Sequence, residues 1–223
     1  MQVGIVGGTG ALGRGLARRW ALAGVDVLVG SRDANRARAA AEQLAEELAD
    51  ELDEAGGRLD GVDNLDAATA EVVVLAVPWD GLDAVLAPLT EALAGRVVVS
   101  AINPLAFDAA GPHNTPVAEG SVAEAIAARL PGARLTAAFH SVSSRELNRL
   151  EHPLDDDVPV VGDDEEAVAT VVDLAGRIDG VRAYAAGPLR LSAPLEQLTA
   201  LIISINKRHR GHAGLRFTRL TPR

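Results

Sequence analysis

The chain has 223 residues, a formal net charge of −10 and no cysteine, which excludes disulfides, thiolate chemistry and cysteine-held metals. Residues 1–196 set 15 arginines against all 31 acidic side chains, −16 in all, whereas 197–223 carry one lysine, five arginines and no acid, +6. An acidic body of this kind excludes general nucleic-acid binding, and no apolar run approaches the ~20 residues needed to cross a bilayer.

The length suits one large domain, or a nucleotide-binding domain with a small second lobe. With a glycine motif beginning at Gly7 there is no signal peptide to read, and the expectation is a cytoplasmic protein with no membrane association.

Val3 to Val6 read as a short buried strand, and Gly8-x-Gly10-x-x-Gly13 follows directly. An apolar-periodic helix (Leu12, Leu16, Trp20) runs out of the glycines, and Val25 to Val29 form a second strand ending in Gly30-Ser31-Arg32. Strand, glycine turn, helix and strand within about 30 residues are the dinucleotide-binding βαβ unit. In it one glycine makes the tight turn, one lets the backbone approach a pyrophosphate and one lets the helix pack on the strand. The pyrophosphate sits on the free N–H groups of the helix N-terminus.

Asp33 to Gly56 reads as one solvated helix rich in Ala and Glu, and residues 61–64 lead into a short helix near Ala67. Val72 to Val77 is a continuous apolar run, the pattern of a parallel strand covered on both faces, and it ends in Pro78-Trp79. Leu82 to Leu93 is a helix broken near Pro88, and Val97 to Ala101 is another buried strand. Residues 106–120 read as a long Gly/Pro-rich loop, of a length that is more often functional than idle. Ser121-x-x-Glu124 is a capping box for a helix to Leu130, and Leu135 to Phe139 is a strand ending at His140.

Ser141 to Pro153 is polar, a loop with a short helix. Val158 to Val161 and Val181 to Ala185 are strands around a helix that starts at the acidic stretch 163–166 and runs to Ile178. Pro194 to His209 is a helix whose apolar stripe (Leu195, Leu198, Leu201, Ile202, Ile205) suits a core or a dimer interface. The fold class is therefore α/β, a Rossmann-type doubly wound and mostly parallel sheet.

The end of the second strand chooses the nucleotide. An NAD site places Asp or Glu there for the ribose 2′-OH. This chain has Ser31, Arg32 and, one helical turn on, Arg36, which suit a 2′-phosphate, so the cofactor is read as NADP(H). Asp33 is compatible if its side chain turns to the start of the following helix.

The usual proton-transfer groups of dehydrogenases are missing. The single tyrosine, Tyr184, has no lysine four positions on, Lys207 stands alone on a basic tail, and the five histidines show no metal-ligand spacing. Hydride transfer between two redox cofactors needs little such machinery, since the protein has only to stack two rings and exclude water.

Five segments then occur in order: Gly7-Gly-Thr-Gly-Ala-Leu-Gly13, Val29-Gly-Ser-Arg32, Leu75-Ala-Val-Pro-Trp79, Val158-Pro-Val-Val-Gly-Asp-Asp164 and Ala186-Gly-Pro-Leu189. Together they resemble the NADPH:coenzyme F420 oxidoreductase family of archaea and actinobacteria over nearly the whole chain. The resemblance implies reversible hydride transfer between C4 of the nicotinamide and C5 of the 5-deazaflavin coenzyme F420. It implies a homodimer, with an NADP-binding Rossmann domain over 1–139 and a smaller C-terminal α/β lobe over 140–223 that closes the deazaflavin site.

Carried over by motif, it assigns Thr9, Gly10, Ala11 and Leu12 to the pyrophosphate, with Gly8 and Gly13 among the cofactor-binding glycines, and Ser31, Arg32 and Arg36 to the 2′-phosphate. Trp79, Asp83, Leu105 and Ser144 would line the rest of the NADP channel, and His140 and Val142 would sit where nicotinamide and deazaflavin meet. None of them is expected to act as an obligatory acid or base, and no metal is expected. The +6 tail reads either as an attractor for the deazaflavin's phosphate and carboxylates or as a partner for the acidic body of a second subunit. Two other functions stay open on the residues alone: a non-catalytic NADP(H)-sensing module, and an NADPH-dependent flavin or ferric-chelate reductase.

Overall fold

A computed structural model describes residues 1–220. The first half of the chain runs β1 (Gln2–Val6), α1 (Ala11–Ala21), β2 (Asp26–Ser31), α2 (Ala34–Glu47), α3 (Ala49–Ala55), β3 (Arg58–Asp63), α4 (Asn64–Ala67) and β4 (Val72–Leu75). It continues through α5 (Leu82–Leu86), a single 3-10 turn at Ala87–Leu89, α6 (Thr90–Leu93) and β5 (Val97–Ser100). A hairpin of β6 (Leu105–Asp108) and β7 (Gly111–Asn114) leads to α7 (Val122–Arg129), β8 (Arg134–Ala137) and α8 (Ser144–Leu147). β9 (Asp156–Gly162), α9 (Glu165–Gly176), β10 (Val181–Gly187), a 3-10 turn at Leu189–Leu191 and α10 (Ser192–His209) complete it.

Eight strands form one sheet in the order β10-β9-β8-β5-β4-β1-β2-β3. Every neighbouring pair is parallel except β8 and β9, which meet antiparallel at Thr136↔Gly162 and Ala137↔Val161. The chain winds outward from β1 through β2 to β3, returns to β4 on the other side of β1, and winds outward again. The switch point therefore lies between β1 and β4, where open parallel sheets bind ligands beyond the carboxyl ends of their strands. The division expected at 139/140 falls in the connection between β8 and β9, and the sheet continues across it.

Side-chain alternation along the central strands divides the core into two layers. Val72 and Val74 face one, with Leu16, Trp20, Leu44 and Leu174, while Val73 and Leu75 face the other, with Leu86, Leu89, Leu93 and Ile126. Burial on both faces accounts for the unbroken apolar run of β4.

Three elements depart from the sequence reading. The helix expected over 33–56 breaks at Leu48 (φ −119°, ψ 13°) into α2 and α3, so that only the first half packs. Arg58–Asp63 is a strand, β3, at the sheet edge, although its charged sequence lacks an apolar run. The loop expected over 106–120 contains the β6–β7 hairpin, registered Leu105↔Asn114 to Asp108↔Gly111, with Phe107 66% exposed. Pro112 is tolerated in β7 because a two-stranded ribbon has only edges.

The basic tail returns to its own body. Asp157 N–H donates to Leu215 O at 2.7 Å, Asp156 Oδ1 accepts from Leu215 N–H at 3.1 Å, and Asp157 also accepts from Phe217 N–H. The Phe217 ring stands edge-on to Tyr184 at 6.0 Å, and Arg216 pairs with Asp155. Arg223 of that tail lies outside the described residues.

Candidate functional site

Loop 7–10 crosses the carboxyl end of the sheet in three tight bonds. Gly8 N–H is shared between Ile5 O at 3.0 Å and Gly30 O at 2.8 Å, and Gly10 N–H donates to Gly7 O at 3.0 Å. Gly7 has φ +83°, and a Cβ on Gly13 would stand 2.6 Å from Gly8 Cα, so the first turn of α1 packs directly on the loop.

α2, α7 and α9 begin under their own side-chain caps, Asp33, Ser121 and Asp164. α1 begins at Gly10 with no side-chain cap and no acid in its first turn. Its N-terminal N–H groups and the positive end of its dipole are thus left for an anion.

A cleft of about 380 Å³ opens beside that terminus, lined by Gly7, Thr9, Gly10, Ser31, Arg32 and Arg36, with Asn64 and the segment after β4 opposite. Asp33 has turned away from it: the carboxylate caps α2, accepting from Asn35 N–H at 2.9 Å and Arg36 N–H at 3.3 Å. Among the described residues neither Arg32 nor Arg36 forms an ion pair, whereas Arg129 and Arg134 each bind two carboxylates. A buried hydroxyl (Ser31) and two guanidiniums without carboxylate partners form an anion-accepting corner.

A second cleft, of about 260 Å³, lies farther along the same sheet edge, beyond β5 and β8. Leu12, Asn103, Phe139, His140, Val142, Ser144 and Thr199 are among its lining residues. Both ring nitrogens of His140 are buried without a hydrogen-bond partner among the described residues. Burial holds the imidazole down at about 4, so it is neutral at physiological pH. Its main chain is fixed from α10, since Thr199 Oγ1 donates to His140 O at 2.8 Å and Asn103 Nδ2 donates to the same oxygen at 3.2 Å.

Gly7, Thr9, Gly10, Ser31, Arg32 and Arg36 thus meet in the first cleft, and Leu12, His140, Val142 and Ser144 in the second. Six sequence candidates line neither: Gly8, Ala11 and Gly13, which belong to the glycine loop and the first turn of α1, and Trp79, Asp83 and Leu105. Trp79 packs half-buried on the second core layer, Asp83 turns outward to Arg129, and Leu105 opens the hairpin. Asn64, Asn103 and Thr199 were not among the sequence candidates; Asn64 follows β3 directly and Asn103 lies three residues beyond β5, at the end of the sheet where ligands meet this class of fold.

α10 is fastened over this region by Glu196, 1% exposed, whose carboxylate accepts from Val122 N–H at 2.9 Å and Ala123 N–H at 3.0 Å at the start of α7. Burial pushes its carboxyl up to about 7 against the pull of those two N–H groups, and Glu124 adds repulsion. In the unfolded chain the group titrates near 4.5. Between these values the folded state binds more protons, so this residue's contribution to stability falls as pH rises from about 4.5 to about 7 and is level above. Glu196→Gln is expected to flatten that part of the melting temperature against pH; a Gln variant with the wild-type slope would assign the slope to another group.

A glycine turn feeding an uncapped helix at the switch point of a parallel sheet defines a dinucleotide-binding α/β protein. Residues 2–104 match the family described as NADP oxidoreductase, coenzyme F420-dependent. An F420-dependent NADP reductase of Methanothermobacter thermautotrophicus is 37% identical, covering 99% of this chain and 96% of that protein. One from Methanocaldococcus jannaschii is 38% identical, covering 99% of both. Among solved structures, a proposed F420-dependent NADP reductase from Arthrobacter sp. FB24 superposes with a TM-score of 0.80 at 25% identity, covering 98% of this chain and 100% of that one. The chain belongs to the F420-dependent NADP reductase family, a family of oxidoreductases.

Proposed function

We propose that the chain catalyses reversible hydride transfer between C4 of the nicotinamide of NADP(H) and C5 of the deazaflavin ring of coenzyme F420. The observation that carries this reading is the pair of clefts along the carboxyl end of the sheet, on either side of the N-terminus of α1, with Gly10 lining one and Leu12 the other.

In this reading residues 8–13 hold the pyrophosphate on the α1 N–H groups, and Ser31, Arg32 and Arg36 bind the 2′-phosphate. His140, Val142 and Ser144 form the wall against which the rings stack. The unpartnered His140 nitrogens fit a ring substituent that offers a hydrogen bond, and Val142 sets the shape of the wall. Hydride passes directly between the two bound cofactors, so these residues orient, exclude water and remain neutral rather than move a proton. Among the described residues no group of three His, Asp or Glu is arranged to hold a metal ion.

The exposed Leu191, Leu201 and Ile205, with Phe107 of the neighbouring hairpin, suit a homodimer interface. Sedimentation of the purified chain tests it, a monomer at micromolar concentration counting against it. No helix of the described residues is long and apolar enough to cross a membrane.

The test of the activity is to mix the protein with NADPH and oxidised coenzyme F420 and follow the loss of the deazaflavin's visible absorbance, with NADH as control. Rapid bleaching with NADPH and slow or no bleaching with NADH is expected. No bleaching with either, or bleaching of FMN or reduction of ferric chelate in its place, overturns the assignment.

A further inference from the structure

One buried cation on α1 lies outside both clefts. Arg19 is 6% exposed. Its Nε donates to Leu147 O at 3.2 Å, and its Nη2 is directed at Glu146 O at 3.2 Å, His152 O at 3.3 Å and Arg149 O. A buried guanidinium is costly unless its donors are filled. Here four main-chain carbonyls engage Nε and Nη2, all from the stretch 146–152 that follows the wall of the second cleft. Burial lowers the guanidinium's pKa, and the charges of Asp179, Glu146 and Glu151 oppose the shift. A methionine would fill much of the same space; what the guanidinium adds is a fixed position for that backbone.

The contact continues up one face of α1. Ala11, Gly15 and Arg19 are four residues apart, hence stacked along the helix. At Gly15 α8 presses so close that a Cβ would stand 2.5 Å from Leu147 Cβ. At Ala11, Asn148 Nδ2 donates to Ala11 O at 2.9 Å and to Ser144 O at 2.6 Å, one amide bridging the glycine-loop helix and the cleft wall. Beside Arg19, the Trp20 ring meets Phe139 edge-on at 5.6 Å, and Phe139 holds φ +67°, a left-handed conformation that a phenylalanine keeps only when its surroundings impose it.

We infer that Arg19 is a positioning residue: through the carbonyls of 146–152 it sets the distance and orientation of the wall 139–144 relative to the α1 N-terminus. The helix that receives the pyrophosphate is then also the gauge for the nicotinamide end. The inference rests on the NADP reading of the first cleft.

Calorimetric titration of the full chain with NADPH and with 2′-phospho-ADP-ribose, which has the pyrophosphate and 2′-phosphate but no nicotinamide, tests it. Arg19→Met is expected to weaken NADPH by ~10-fold and 2′-phospho-ADP-ribose by less than ~2-fold. Arg19→Lys, which keeps the charge but reaches fewer carbonyls, falls between wild type and Met. Amide exchange over 139–149 should speed up in the Met variant while β1 and β4 stay protected.

Equal weakening of both ligands, or no weakening of either, overturns the role. Should Arg19→Met fail to fold, Asn148→Ala, at the outer end of the same contact, is put through the same comparison: selective weakening of NADPH supports the role, and equal or absent weakening overturns it. A wild-type protein that binds neither ligand rejects the NADP reading and this inference together. A wild-type protein that binds both, with an unchanged ratio in the variants, rejects only Arg19's role.

Discussion

Arg32→Ala is expected to weaken NADPH binding by roughly 1–3 kcal/mol, about 5- to 150-fold, and to leave NADH within ~2-fold of wild type. The reason is local. Arg32 lines the first cleft beside Ser31 and Arg36 without an ion-pair partner among the described residues, while Asp33 is engaged at the α2 N-terminus. Removing Arg32 therefore releases no partner charge and disturbs no packed element, and the loss reports on the ligand's phosphate. Arg32→Lys should recover only part of it, because an ammonium cannot reproduce a bidentate grip. The NADPH advantage should also shrink with added salt, as expected of an open, solvent-facing cleft. Equal losses for the two nucleotides, read by fluorescence titration, would remove the 2′-phosphate from this corner.

Trp20→Ala is expected to cost ~3–5 kcal/mol of folding stability. Trp20 is fully buried, and its indole N–H donates to Leu174 O at 3.0 Å, tying α1 to α9 across the core. Deleting the ring leaves a cavity between two helices and the sheet, and an unpaired carbonyl. Trp20→Phe keeps most of the ring and loses the hydrogen bond, so ~1 kcal/mol of its cost belongs to that bond, plus a smaller packing term. Urea denaturation of the three proteins measures both. A Trp20→Ala variant within about 1 kcal/mol of wild type would mean that the site collapses and that Phe139 is held by something else.

The βαβ unit was legible because the physics there is local. Glycines required by a turn and a close approach, an apolar strand and a periodic helix all lie within one short stretch. Arg32, Arg36 and the turned-away Asp33 could be read for the same reason. What stayed hidden depends on distant partners. β3 carries charges because it closes the sheet edge, and its Gly61 lies against Ala37 O of α2, a fit no local pattern announces. Glu196 resembles a solvated helix charge until the start of α7 is brought to it across 74 residues of chain. The tail's basic residues suggested a ligand or a second subunit, yet two buried aspartates of β9 hold its backbone through N–H groups, which every sequence has. The ion pair of Asp83 was hidden for the same reason, because Arg129 is remote in sequence.

On the proposed placement of the nucleotide, the uncapped start of α1 would tie the protein's lifetime to the cell's supply of NADP(H). A helix that lacks its own cap is completed by whichever anion occupies it, so occupancy adds RT ln(1 + [L]/Kd) to the folding free energy, about 2.7 kcal/mol at a hundredfold excess over Kd. With the pool full, local opening around loop 7–10 would be suppressed and proteases would find little to cut. With the pool drained, the same chain would open more often and be cleared sooner. Abundance would then follow the supply of the nucleotide, with no regulator other than mass action.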